Sequence, residues 1–159
     1  MVKIIEDDLY KEIWDKIYND FKFYPSINID SVPFRFKIKV KCFKFNSFWT
    51  EEQENLVNEL FKKISNEDIY ALDWHHDCFI FNPHEYNNFN KQWYDETRNC
   101  NVYFPTYYPN GDYYFFIDKD FKYGTLSHPW RKEIYVFGDE LMELFEANKD
   151  ALNITKKDL

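Results

Sequence analysis

A chain of 159 residues with 20 Lys plus Arg against 28 Asp plus Glu has room for one domain, residues 1–159, and at a net charge of −8 it repels a polyanion overall. No apolar run approaches the roughly 18 residues that span a bilayer, and the first residues, MVKIIEDDLYKEIW, reach carboxylates too early for a signal peptide, so neither export nor a membrane is expected. Cys42, Cys78 and Cys100 show no C-x-x-C spacing and read as reduced thiols, which makes the expected location the cytoplasm.

Leu9, Ile13, Trp14, Ile17 and Phe21 recur at helical spacing behind Asp7 and Asp8, whose charges suit a helix N-terminus, and predict a first helix over residues 6–21. Turn chemistry in FYPSINIDSVP leads to FRFKIKVKCFKF, residues 34–45. There Phe34, Phe36, Ile38, Val40 and Cys42 alternate with Arg35, Lys37, Lys39 and Lys41, the period of a strand with one apolar and one cationic face. The adjacent apolar pair Cys42 and Phe43 breaks the phase and predicts a β-bulge. With Lys44, this ribbon carries five positive charges in a remainder of −13. Its expected role is structural, either guarding an edge strand or pairing across strands with Asp73 and Asp77. Nucleic-acid platforms place rings and cations on one face, whereas here they alternate, so no nucleic-acid partner is expected.

TEEQENLVNELFKKIS opens with Thr50 and Gln53 in capping-box positions and predicts a second helix. IYALDWHHDCFIF, residues 69–81, reads as one strand or as two strands bent near the histidines, and the Asn-rich residues 84–100 as a loop with a short helix. VYFPTYY and DYYFFID around the turn tetrapeptide PNGD predict a hairpin. KEIYVF is a further strand, Gly138 and Asp139 open an acidic helix through ELMELFEANKDAL, and the terminal KKDL is expected to fray. The order predicts an α+β fold, an antiparallel sheet of about five or six strands with helices packed mainly on one face.

His75, His76, Asp77, Cys78 and His84 crowd together, but neighbouring strand residues point to opposite faces and the set lacks metal-site spacing, so no metal and no cofactor are expected. The three glycines, Gly111, Gly124 and Gly138, leave neither a P-loop nor a dinucleotide fingerprint, and Ser127 precedes His128 without a G-x-S-x-G elbow.

PNGDYYFFIDKDFKYGTLSHPWRKEIYVFGDEL, together with ALDWHHDCFIFNP upstream, resembles the bacterial DUF2716 family of uncharacterised proteins, whose members show a similar ALDW-x-H block and a PNGDYY…DF…G…HPW…VFG block. The resemblance is strong over the C-terminal half and loose over the N-terminal part. It picks out Asp73, Trp74, His76, Asn110, Gly111, Asp112, Gly124, His128, Pro129, Trp130 and Gly138, while Ser127 stands where glycine is expected and His75 where glutamine is usual. Asn110, Gly111, Pro129 and Gly138 read as architecture. His128, His76, Asp73 and Asp112 are the candidate catalytic residues, with Trp74, Trp130 and Tyr113 as candidate binding residues, because a carboxylate, an imidazole and an indole brought together by a sheet make a polar pocket. SHPW itself is expected to be a structural corner, with Trp130 in the core and His128 in a buried hydrogen bond.

Two functions fit these residues. The first is stoichiometric binding of a cationic protein such as a toxin domain, in the manner of an immunity protein or antitoxin. It rests on small size and on acidic helices bearing Glu51, Glu52, Glu54, Glu59, Glu67 and Asp68, then Asp139, Glu140, Glu143, Glu146 and Asp150. The alternative is a small hydrolase acting on an anionic small molecule or nucleotide, with His128 or His76 as base, Asp73 or Asp112 orienting it, and the basic strand receiving the anion.

Overall fold

The structure, a computed structural model, describes residues 2–26, 28 and 33–159. The elements in chain order are β1 (Lys3–Ile4), α1 (Asp7–Asp20), β2 (Val40–Phe45), α2 (Glu51–Ile64), β3 (Ile69–Asp73), β4 (Cys78–Phe81) and a 3-10 turn over Pro83–Asn88. They continue with β5 (Gln92–Asp95), β6 (Cys100–Tyr103), β7 (Tyr114–Asp118), β8 (Gly124–His128), β9 (Glu133–Phe137), α3 (Asp139–Ala147), α4 (Lys149–Leu152) and β10 (Ile154–Lys157). Part of the turn expected over residues 23–33 lies outside the described residues.

Eight strands form one antiparallel sheet in the order β1-β4-β3-β7-β8-β9-β2-β10, and β5 and β6 form a separate two-stranded ribbon. The α+β class is as expected, but the strand count is larger than five or six. β1 and β10 are two and four residues long, too short for periodicity to register.

Both faces of the sheet are covered over its central strands. Val57, Leu60 and Phe61 of α2, Leu141, Met142 and Phe145 of α3 and Leu152 of α4 pack on one face, against Phe43, Ile69, Ala71, Phe79, Phe81, Phe116, Ile134 and Val136. Ile13, Trp14 and Ile17 of α1, with Phe21, Phe23 and Phe34, pack on the other, against Cys42, Tyr70, Leu72, Cys78, Phe115, Ile117, Tyr135 and Phe137. Successive residues of CFIF, YFFI and IYVF thus enter opposite clusters, which is why these strands read as unbroken apolar runs. α2 begins with the expected capping box: the Thr50 side chain accepts from Gln53 N–H, and the Gln53 side chain accepts from Thr50 N–H.

The same sealing corrects the reading of residues 34–45. β2 pairs with β9 in continuous register from Val40–Phe137 to Lys44–Glu133, with no bulge. Cys42 and Phe43 are both apolar because the strand there is covered on both sides. Residues 34–39 are not a strand; they cross over the α1 face, where Phe34 and Phe36 pack on Tyr135 with ring centroids 5.2 and 5.4 Å away. Nor do the lysines pair with Asp73 and Asp77. His76 takes Asp73, and Arg98 takes both oxygens of Asp77, at 2.7 and 3.0 Å.

PNGD does not close a hairpin. β6 pairs with β5, whereas β7 pairs with β3 and β8, so residues 104–113 cross from the ribbon to the main sheet. A buried side chain holds the crossing. Glu54, read from sequence as part of an acidic surface, accepts the backbone N–H groups of Tyr107 and Tyr108 at 2.6 and 2.9 Å. Asn58 on the next turn of α2 accepts from the Tyr107 hydroxyl at 2.8 Å. At the other end of the chain, Asn148 divides the expected acidic helix into α3 and α4, and Lys156 and Lys157, expected to fray, pair with Phe43 and Cys42 as the end of β10.

Gly124 permits the close approach of β7 and β8. A Cβ there would stand 2.4 Å from the Phe116 carbonyl oxygen and 2.9 Å from Ile117 Cα, both backbone atoms. Gly124→Ala is expected to cost about 3 kcal/mol, read as a lower urea midpoint with an unchanged slope. A loss below about 1 kcal/mol would show that the two strands part easily.

Candidate functional site

The two sequence blocks meet at one end of the sheet. β3 ends at Asp73, a turn over residues 74–77 follows, and the backbone N–H of Trp74 donates to the Tyr113 carbonyl at 3.2 Å, extending the β3–β7 ladder beyond β7. Gly111, at φ +91°, turns the incoming crossing segment so that Asp112 and Tyr113 enter beside Trp74. The β8–β9 turn brings Trp130 to the same place. Trp74, His75, Asp112, Tyr113 and Trp130, with Pro25 and Ser26, line a small cleft of about 150 Å³.

Two histidine–aspartate pairs flank this cleft. His75 Nδ1 lies 2.5 Å from Asp112 Oδ2, and His76 Nδ1 lies 3.1 Å from both oxygens of Asp73. Asp73 also accepts the His75 backbone N–H at 3.2 Å, and Asp112 accepts that of Tyr113 at 2.7 Å. The carboxylates are buried while the imidazole side chains are 58% and 65% exposed, so each pair presents a histidine to solvent from a buried anchor. Burial pushes the Asp73 pKa above the ordinary carboxylate range, Asp112 adds to the rise, and His76 opposes it without prevailing.

Strand alternation does not govern these histidines, because both sit in the turn after β3. Asp73, His76 and Asp112 offer ligand atoms within 4.8 Å of one another and could hold a divalent cation. The same carboxylates are already engaged by the histidine and backbone donors above.

Of the candidate catalytic residues, Asp73, Asp112 and His76 converge, while His128 stands apart. It is fully buried, and its Nδ1 accepts the backbone N–H groups of Trp130 and Arg131, both at 3.2 Å. The proton therefore sits on Nε2, which faces the Tyr113 hydroxyl at 3.4 Å. Both nitrogens are committed to the fold. Burial lowers the His128 pKa to about 4, Arg131 adds to the fall and Glu133 opposes it. The expected structural corner is present in His128, but Trp130 is not in the core: its side chain is 47% exposed and walls the cleft. The candidate binding residues Trp74, Tyr113 and Trp130 all line that cleft, and Trp74 is fixed by donating from Nε1 to the Tyr18 hydroxyl on α1 at 2.9 Å.

His75 is the site residue that sequence reasoning passes over: weighed with its histidine neighbours as a metal ligand it is set aside, and otherwise it stands as a departure from the family pattern. Pro25 and Ser26 carried no signal, since the contact of Ser26 with the Tyr113 hydroxyl, donated to the Ser26 carbonyl at 2.8 Å, joins residues far apart in sequence.

Among known proteins, the model of a family described as "Protein of unknown function (DUF2716)" matches residues 4–142. "Uncharacterized protein YxiI" of Bacillus subtilis (strain 168) is 43% identical over 87 residues, which are 55% of this chain and 49% of that protein. The match thus spans about half of the relative's length (49%). No solved structure matches.

His128 gives the corner a pH signature. Its folded pKa, about 4, lies below the unfolded value of 6.5, so its contribution to stability is complete above pH ~6.5, falls as pH drops towards ~4 and then levels. The limb amounts to about 3 kcal/mol. His128→Ala is expected to cost about 1 to 3 kcal/mol at neutral pH and to flatten that limb relative to wild type in melts across pH. Trp130→Ala, which removes a half-exposed ring, is expected to cost less than about 1 kcal/mol. An unchanged acid limb in His128→Ala would mean that the imidazole is not held neutral.

Proposed function

The chain belongs to the DUF2716 family, and we propose that it acts by stoichiometric protein binding, taking one cationic side chain of a basic partner into the cleft between Trp74, Tyr113 and Trp130. The observation that carries this reading is the cleft itself. At about 150 Å³ it is smaller than the roughly 300 to 1,000 Å³ of small-molecule sites and suits a single side chain. Two indoles and a phenol wall it together with Pro25, Ser26, Gly111 and the His75 ring, and Asp112, which also holds His75, supplies a carboxylate at its edge, the combination that receives an ammonium or guanidinium group.

The surroundings suit the same partner. On α1, Tyr10 and Tyr18 are exposed beside Trp14, and Glu6, Asp7, Asp8 and Glu12 lie on the exposed surface of the same segment. Aromatic anchors next to carboxylates are what a basic protein surface engages at its most costly contacts. The overall charge of −8 speeds its approach. A basic toxin domain is the partner class that this fits, with the chain masking it as an immunity protein would.

A second reading has its own observation. His75 and His76 each commit Nδ1 to a buried aspartate, which leaves Nε2 as the nitrogen open to chemistry, the layout of an oriented general base. On that reading the protein hydrolyses a small anionic ester.

Titration of the intact chain with a short arginine-rich peptide and with its citrulline counterpart, followed by tryptophan fluorescence and calorimetry, tests the first reading. The expected result is one-to-one binding of the arginine peptide alone, weakened at least tenfold in Asp112→Asn and in Trp130→Ala, with both variants folded by circular dichroism. Equal binding of the citrulline peptide, or none of either, overturns it. Turnover of a phosphate or carboxylate ester that His75→Gln or His76→Gln abolishes would establish the second reading instead.

A further inference from the structure

The α1 face of the sheet is unevenly covered. Eight strands spaced about 4.8 Å apart make a sheet roughly 34 Å wide, and one helix about 10 Å across covers only two or three of them. α1 lies over the β3–β7 region, where Trp14 meets Phe115 with ring centroids 5.5 Å apart, and residues 34–36 cover β9. Beyond them, β2, the start of β9 and β10 border an open groove of about 580 Å³. Lys44, Arg131, Lys156 and Lys157 line it with Trp130, and Glu133 lies at its floor.

On the groove's own face Lys44, Arg131 and Lys157 stand against one carboxylate, Lys156 alternating to the other face beside Phe43, which is still a local reversal of sign in a chain of net charge −8. Glu133 does not cancel it. Buried to 2% exposure, it accepts from Arg131 Nε at 3.1 Å, from the Tyr135 hydroxyl at 2.9 Å and from Lys157 Nζ, so one negative charge holds two positive groups in place. The pull of Lys157 and Arg131 outweighs the cost of burial and keeps Glu133 below the usual carboxylate range, hence ionised. Lys44 stands directly opposite Glu133 on β2, and the next strand places Thr155 opposite Lys44. The groove is therefore built from cross-strand neighbours in fixed register, with two of its cations pinned from below.

We propose that this groove binds an organic phosphate bearing a planar ring, the chemical class of a mononucleotide, with Lys44, Arg131 and Lys157 taking the phosphate and Trp130 the ring. Converging lysines and a guanidinium match a doubly charged oxyanion better than a single carboxylate. The volume falls within the range of small-molecule sites. An exposed indole beside the cations supplies a stacking surface on the same side as the phosphate contacts. The net charge disfavours a polymer, whose further phosphates would meet the acidic remainder of the chain, so the ligand is small. The groove is distinct from the aromatic cleft, shares Trp130 with it, and does not depend on what the cleft binds.

Calorimetry and tryptophan fluorescence with each of the four ribonucleoside 5′-monophosphates, with inorganic phosphate, with free nucleosides and with a single-stranded oligonucleotide test the proposal on the intact chain. The expected result is saturable one-to-one binding of at least one monophosphate, tighter than its nucleoside or inorganic phosphate. Lys44→Gln, at an exposed position, should weaken it about fivefold or more. Trp130→Ala should remove the advantage over inorganic phosphate, and Lys63→Gln on α2 should change nothing. Binding of inorganic phosphate as tight as that of every nucleotide would eliminate the ring contact. Absence of any saturable nucleotide binding overturns the proposal, and tight, steeply salt-dependent oligonucleotide binding in that case would make the groove a polyanion surface.

Discussion

Sealing both faces of the sheet's central strands with apolar, largely aromatic side chains is the constraint on which the rest of the molecule depends. With α2, α3 and α4 on one side and α1 on the other, the central strands offer almost no mid-strand position to a charge. Titratable groups are displaced to strand ends. At one end they form a transverse row, with His128 paired to Glu133, Glu133 to Lys44 and Lys44 to Thr155, and Tyr113 one residue before β7 on the same face. Spanning five strands, the row is about 19 Å long. The aromatic cleft lies at its Tyr113 end and the cationic groove at its Lys44 end.

Buried carboxylates stabilise this arrangement only because each meets several donors, and their balance differs. Glu54 has two backbone N–H groups and no cation, and burial still pushes its pKa up to about 7. Asp73 has a histidine and a backbone N–H, and burial again prevails. Glu133, with Lys157 and Arg131, falls below the ordinary range. The order follows the charge of the donors: dipoles offset part of the desolvation cost, full cations exceed it. Glu54 and Asp73 thus serve as anchors of backbone, and Glu133 as a fixed counter-charge.

What the sequence disclosed and what it withheld divide along the same physical line. Features set by local spacing were legible: the capping box of Thr50 and Gln53, the face of α1 through Ile13, Trp14 and Ile17, and, as one of two readings of residues 69–81, the bend between β3 and β4. Features set by what lies opposite were not. Cys42 beside Phe43 looked like a bulge because nothing local distinguishes an inserted residue from a strand covered on both faces. PNGD looked like a hairpin because its turn residues are genuine, but Glu54 and Asn58, about 50 residues earlier, claim the backbone and hydroxyl of the crossing segment. The site followed suit. Asp73, Trp74, His76, Asp112, Tyr113 and Trp130 are all legible as candidates, but the same reasoning includes His128, which stands apart, and expects Trp130 in the core. His75, Glu133 and Lys157 acquire their roles only from partners remote in sequence or across a turn.

The two recesses carry opposite charge, with Asp112 beside one and Lys44, Lys157 and Arg131 in the other, and Trp130 lines both. Their geometries are therefore not independent. His128 accepts the backbone N–H groups of Trp130 and of Arg131, so one neutral imidazole fixes the residue that walls the cleft and the residue that supplies a cation to the groove. Glu133 then holds the Arg131 side chain from the far side of the turn. Protonation of His128 would remove the acceptor and release both residues at once. Burial resists that protonation down to a pH of about 4. His128 thus belongs to the architecture, and whatever enters either recess meets a shape that this buried ring maintains.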